Sequence, residues 1–369
     1  MLFLELMQQA HYNKAIKYWL LSGVFLITAM VVIGGITRLT GSGLSIVEWN
    51  IISGSIPPLN EAEWTIAFEK YKQFPEYQKL NFSMSLSGFK QIFWWEFLHR
   101  LLGRIIGLAF IFPFLFFLLK KQLSNQLLKR LVFVLILGIA QGLMGWIMVK
   151  SGLSDNPHVS HYRLAAHLCL ALSLIGVILW TIADIVSVAQ QQQRYSTNKL
   201  NSLAKVVLAS IVLQIILGAF VAGLKAGFYY NTYPLMNGEV FPSYLEEHIT
   251  WANFLDKGAV VQFIHRWVAI VVLFLILLLW NNSRHSAISS TSKRITLFLM
   301  LTGFLQVGLG IATLLLAVPV ALGVLHQIVA VALFSFAVLA VHQLSVNPQT
   351  NISPEKAKIA AQHLKYANS

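Results

Sequence analysis

The sequence predicts an all-α membrane protein: eight transmembrane helices in two tandem four-helix bundles, related by a pseudo-two-fold axis along the membrane normal. Three observations carry this. Hydrophobic residues make up 57% of the 369 residues and charged residues only 11%, with a mean hydropathy of +0.67, too little polar surface to coat a soluble globule. Eight apolar runs are long enough to cross a hydrocarbon core ~30 Å thick at ~1.5 Å rise per residue. The second half of the chain repeats the first.

The first span, 18–36, is preceded by Lys14 and Lys17 and followed by no small-residue cleavage site, so it reads as a retained helix rather than a signal peptide. The second, 92–119, opens on "WWEFLHRLLGR", a cluster of charge at the head of the apolar run "IIGLAFIFPFLFFLL". Spans 131–149 and 163–186 complete an N-terminal half, 1–190. The polar stretch "QQQQRYSTNK" then gives a cytoplasmic linker, 191–199. Spans 204–224, 259–281, 295–318 and 322–344 form a C-terminal half, 200–345, followed by a tail, 346–369.

The net charge of +13 could indicate nucleic acid, but its distribution indicates membrane topology. With the N-terminus cytoplasmic, the inner segments hold Lys14, Lys17, Lys120, Lys121, Lys129, Arg130, Arg194, Lys199, Lys205, Arg284, Lys293, Arg294, Lys356, Lys358 and Lys365. Outer segments hold fewer cations, mixed with acids such as Glu61, Glu63, Glu69, Glu76, Glu246 and Glu247. This positive-inside pattern places both termini in the cytoplasm of a cell with the protein in its inner (plasma) membrane. The single cysteine, Cys169, lies inside a predicted helix and permits no intrachain disulfide.

The repeat is legible residue by residue. "WWEFLHRLLGRIIGL" matches "VVQFIHRWVAIVVL", and "AQGLMGWIMVKSGL" matches "LQVGLGIATLLLAV". His265 follows His99 by 166 positions, Gln306 follows Gln141 by 165, and His326 follows His167 by 159. "VVIGGITRLTGSGLS" and "IILGAFVAGLKAGFY" close the first and fifth helices, each with one cation, Arg38 or Lys225. Four helices per repeat is an even number, so both halves keep the same orientation. The outer loop 37–90 is long and carries Trp49 and Trp64; it reads either as an ordered cap or as a connector with interfacial aromatics.

Four of the eleven histidines, His99, His167, His265 and His326, stand at matching repeat positions inside spans. Ionisable residues there are costly and mark function. Counting from each to the inner end of its helix gives ~22 to 30 Å, so all four lie at one level toward the outer side. Two histidines from two helices at one depth suit a haem iron held at both axial positions. Glu96 and His99 form an ExxH pair, but a di-iron centre needs two such motifs and further glutamates, and the spans otherwise hold only Asp184. HExxH and cysteine clusters are absent. Arg100 and Arg266 directly follow their histidines, and with Arg38 and Lys225 they are candidate partners for haem propionates. Glu96 and Arg100, spaced i and i+4, can equally pair with each other. Gln262 stands where Glu96 stands in the first half, so one site only has a carboxylate beside its histidine, a group that burial can tune for proton transfer.

"GGITRLTGSGLSIVEWNIISGSIPPL", "WWEFLHRLLGR", "AHLCLALSL", "FIHRWVA" and "LGVLHQIVAV" together resemble the haem A synthase family of bacterial and mitochondrial membrane enzymes, in its cysteine-free type, from Tyr18 to His342. The resemblance implies oxidation of a ring methyl of haem O to the formyl group of haem A, for cytochrome oxidase, by successive hydroxylations. It implies that His265 and His326 ligate a haem b, and that His99 and His167 hold the substrate haem with Glu96 at the reacting centre. It further implies a haem O synthase (a farnesyltransferase) as functional partner and a separate electron donor; assembly into a homo-oligomer is open. The four histidines alone would equally support a di-haem b-type electron carrier, and the repeats a transporter, although transporter sites lie near the bilayer centre.

Overall fold

The computed structural model describes residues 2–49, 53–154, 157–189, 196–243, 250 and 253–345. Most of the linker, including Arg194, the tail 346–369 with Lys356, Lys358 and Lys365, and Glu246 and Glu247 lie outside the described residues.

The described residues form ten α-helices, in order: α1 Leu2–Leu39, α2 Glu61–Lys72, α3 Pro75–Lys79, α4 Leu86–Leu119, α5 Asn125–Gly152, α6 His161–Ala189, α7 Asn198–Gly223, α8 Gly258–His285, α9 Ser290–Leu315 and α10 Val320–Leu344. All but α2 and α3 contain a stretch long and apolar enough to cross a membrane, eight in total, so each expected span is present. The helices run past the apolar runs because polar residues cap them. Ser124, Thr197 and Ser289 accept from the backbone N–H of Leu127, Leu200 and Ser292 at the starts of α5, α7 and α9. Two boundaries move inward, the fifth span by one residue, to Gly223, and the seventh by three. The seventh span was expected to reach residue 318, but α9 stops at Leu315 because Ala317 (φ 55°) and Val318 (φ 58°) adopt the left-handed conformation, and Pro319 then precedes α10.

Within the first half, α1 packs on α4 and α6, and α5 packs on α6; within the second, α7 packs on α8 and α10, and α9 on α8 and α10. The halves meet through α1 and α6 against α7 and α10, around a core that includes Ile27, Ile175, Val207, Ile211, Phe334 and Val338. Near the C-terminal end of α6, Asp184 accepts from Arg130 of α5 at 2.6 Å and pairs with His342 of α10 at 2.7 Å, tying the two halves together.

The halves differ at one seam. In the second, α8 and α9 pack closely: a Cβ on Gly303 would stand 3.3 Å from Leu273 and 3.4 Å from Ile276. In the first, α4 and α5 touch little. Gly138, the counterpart of Gly303, and Gly107, the counterpart of Leu273, have nothing within 4 Å of a Cβ position.

The outer loop is an ordered cap. Asn60 accepts from Glu63 N–H at 2.9 Å while Glu63 accepts from Leu59 N–H at 2.8 Å, a reciprocal cap that starts α2. Trp64, Phe68 and Tyr71 of the cap then bury themselves on Phe89, Phe93 and Phe97 of α4; the Trp64 and Phe93 rings meet edge to face at 4.9 Å. In α3, buried Glu76 accepts from the Tyr71 hydroxyl at 3.1 Å, and Asn81 donates to that hydroxyl at 2.8 Å.

Burial pushes the Glu76 carboxyl up to about 7, opposed by the Tyr71 hydrogen bond and by Lys225 and reinforced by the charge of Glu96. In the unfolded chain the group ionises near its ordinary value of 4.5, whereas the fold keeps it protonated until about 7, so stability falls as pH rises across that window and stays low above it. Glu76→Gln is therefore expected to raise stability at pH 8 by up to about 3 kcal/mol and to leave it unchanged at pH 4. Thermal melts of detergent-solubilised wild type and variant at the two pH values measure this; equal melting temperatures at pH 8 would contradict it.

Candidate functional site

Each of the four histidines lies against a glycine of the preceding transmembrane helix. A Cβ on Gly34 of α1 would stand 2.9 Å from His99 Cε1 on α4, and one on Gly145 of α5 would stand 3.3 Å from His167 Cε1 on α6. The second half repeats this: Gly218 of α7 against His265 of α8 at 3.1 Å, and Gly310 of α9 against His326 of α10 at 3.0 Å. Glycine is needed because a side chain there would push the imidazole out of its notch. His99 and His167 lie within electrostatic reach of one another, as do His265 and His326, so each half contains one pair.

The structure adds residues that the sequence reading did not assign. Gln141 Nε2 lies 3.3 Å from His167 Nε2, Gln306 Nε2 lies 3.3 Å from His326 Nε2, and Gln214 Nε2 lies 3.1 Å from His265 Nδ1 and donates to the His265 carbonyl at 2.9 Å. Each glutamine precedes its glycine by one helical turn, giving "QGLMG", "QIILG" and "QVGLG". The motif was visible as a recurrence, but only the packing attaches it to the histidines. The fourth copy reads "MVVIG": Met30 occupies the glutamine position above His99, with its Cε 3.5 Å from a Cβ on Gly103. The histidine surroundings are thus glutamine and glutamine in the second half, and glutamine and methionine in the first.

These pairs fit a group that brings its own equatorial ligands. Among the described residues no cluster of three or more His, Cys, Asp or Glu could hold a bare metal ion. The buried Nδ1 atoms of His99, His167 and His326 and the Oε1 atoms of Gln141, Gln214 and Gln306 have no partner among the described residues. Two imidazoles in glycine notches of one half, with unpartnered buried polar atoms around them, fit a haem, whose iron their ring nitrogens would hold.

Glu96 does not stand free beside His99. It is buried, its Oε2 accepts from Ser45 Oγ at 2.7 Å and Ile46 N–H at 2.8 Å, and its Oε1 accepts from Arg100 Nη2 at 2.6 Å and Nε at 3.0 Å. Arg100 also donates to the carbonyls of Ile46 (2.7 Å) and Glu48 (2.9 Å) and lies over the Trp49 ring. The i, i+4 pair is therefore a clamp that fixes segment 42–49 over the outer end of the first half. The second half holds its own outer loop the same way: Gln262 donates to the Tyr230 carbonyl at 3.2 Å, and Arg266 donates to Tyr230 at 2.6 Å and Thr232 at 2.8 Å. Arg38 donates to the carbonyl of Ala222 across the seam between halves. Lys225, in the left-handed conformation (φ 52°), lies within electrostatic reach of Glu76. Of the four expected propionate partners, the three arginines hold backbone carbonyls of loops or helix ends.

Fold and site together define a multi-pass α-helical membrane protein with two repeated, bundle-internal histidine pairs. The chain belongs to the COX15-CtaA family of cytochrome oxidase assembly proteins, whose model matches residues 17–338. It is similar to proteins named heme A synthase from Nitrosospira multiformis (44% identical over 334 residues, 90% of this chain and 94% of the relative) and Parvibaculum lavamentivorans (45% over 337 residues, 90% and 95%). The relative from Flavobacterium psychrophilum, of the same name, is 45% identical over 338 residues, 90% of this chain and 99% of its own.

Proposed function

We propose that this chain is a haem A synthase of the inner membrane, with both termini cytoplasmic, that oxidises a ring methyl of haem O to a formyl group. Two hydroxylations, each using one dioxygen, two electrons from the donor and two protons and releasing one water, would give an alcohol and then a geminal diol, which loses water. The observation that carries the reading is the duplicated histidine pair in glycine notches, in a chain of this family. His265 and His326 hold a resident haem b, which supplies one-electron redox chemistry when bound. His99 and His167 hold the substrate.

The contrast between the two seams supports this division. A resident cofactor suits the half closed between α8 and α9, whereas a substrate with a long isoprenoid tail must enter and leave, which suits the half whose α4 and α5 touch little. The Glu96 and Arg100 clamp acts as positioning machinery: it holds residues 42–49 above His99 and limits water at the outer end. A farnesyltransferase supplies haem O, and a membrane electron donor reloads the resident haem.

The test is co-expression of the full chain with a haem O supplier, followed by chromatography of the extracted haems. Haem A is expected alongside haem B. Recovery of haem B and unmodified haem O alone would favour the di-haem electron carrier.

A further inference from the structure

The two halves meet along two symmetry-related seams, α1 against α10 and α6 against α7. By the repeat, the residue after the second histidine of one half faces the residue after the notch glycine of the other. In the α6 and α7 seam these are Leu168 and Ala219, in one apolar cluster. In the α1 and α10 seam they are Gln327 and Gly35.

Gln327 Nε2 donates to the Val31 carbonyl of α1 at 3.2 Å, and a Cβ on Gly35 would stand 2.5 Å from Gln327 Oε1. Gly35 thus opens a slot into which the Gln327 amide fits. Its chain neighbour Gly34 is the notch against His99, and Gln327 itself follows His326. A route of bonded atoms, one hydrogen bond and one van der Waals contact therefore leads from His326 to His99. The counterpart seam offers only apolar contact.

Electron tunnelling falls off steeply across through-space gaps and much less through bonded atoms and hydrogen bonds. We propose that Gln327 is the bridge for electron exchange between the two haems, a role that rests on the haem A synthase reading above. With both haems bound, one electron would pass from a ferrous haem at His265 and His326, leaving it ferric, to a ferric haem at His99 and His167, with no bond made or broken. Gln327 is a positioning residue in this step, and the Gly35 slot sets its place.

The experiment uses the full-length protein carrying both haems, kept anaerobic, with an electron delivered to the second-half haem by a photoreductant flash. Absorbance then follows its reoxidation as the first-half haem is reduced. Gln327→Leu removes the hydrogen bond, and Gly35→Ala displaces the amide from the opposite helix; both are expected to slow the exchange several-fold with haem content and midpoint potentials unchanged. Leu168→Ala, in the counterpart seam, is expected to leave the rate unchanged.

If Gln327→Leu loses haem, Gly35→Ala decides. Wild-type rates in a variant that keeps both haems would overturn the proposal, as would equal slowing by Leu168→Ala or slowing accompanied by a changed potential. Failure of the underlying reading shows earlier and separately, as wild-type protein without a bis-histidine haem in its second half.

Discussion

Replacement of His326 or His265 by alanine is expected to abolish the low-spin, bis-histidine haem b spectrum of the purified protein. Each half brings His99 and His167, or His265 and His326, within electrostatic reach of one another, and among the described residues no cluster of metal-ligating side chains offers a substitute. Gln306, 3.3 Å from His326 Nε2, and Gln214, 3.1 Å from His265 Nδ1, are polar side chains placed there, and a neutral amide is a poor axial ligand. The alanine would also empty the notch at Gly310 or Gly218, which exists to admit the ring. Absorption spectra and total haem content of each variant measure the effect. A normal haem b signal in either one would remove the second half from the assignment. His99→Ala and His167→Ala should leave that signal intact, because their pair belongs to the other bundle.

Glu96→Ala is expected to stop conversion of haem O while leaving haem b in place. The carboxylate is the counter-charge of Arg100, and both side chains are nearly buried, at 4% and 11% exposure. Removing one member of such a pair leaves the other uncompensated, at a cost of roughly 3 to 5 kcal/mol. Ser45 and the Ile46 N–H would lose their acceptor as well. Segment 42–49 should then detach from α4, detectable as new protease cleavage in the outer loop.

Glu96→Gln separates clamp from charge. Its amide oxygen can still accept from Ser45 and Ile46; its NH2 then faces Arg100, which loses its counter-charge but keeps its bonds to the Ile46 and Glu48 carbonyls, as Arg266 beside Gln262 keeps those to Tyr230 and Thr232. Most of the conversion should therefore be retained. Loss of conversion in Glu96→Gln, with the loop protected and haem b present, would instead put the carboxylate at the reacting centre.

Much of this was legible in the chain. The eight spans follow from apolar run length, since only helices satisfy the backbone in lipid. The four histidines stood out because charge-bearing residues are scarce in such runs and because the repeat aligned them. The glutamines were visible as a recurrence without a role, since a polar residue one turn from a glycine acquires meaning only when the neighbouring helix places an imidazole there. Glu96 could be read as a free acid or as the partner of Arg100. The choice depended on Ser45 and Ile46, some fifty positions away and brought in by the loop.

The sequence by itself determined the fold class, the eight spans, the duplication and the four candidate histidines, because run length and repeat register are properties of the linear chain. Only the tertiary structure decided what separates the halves: the closed α8 and α9 seam against the loose α4 and α5 seam, the clamp at Glu96, and the slot that seats Gln327 on α1. Those depend on which atoms meet across helices far apart in the chain. A glycine reads the same in sequence whether it faces open space, as Gly138 does, or an imidazole, as Gly310 does.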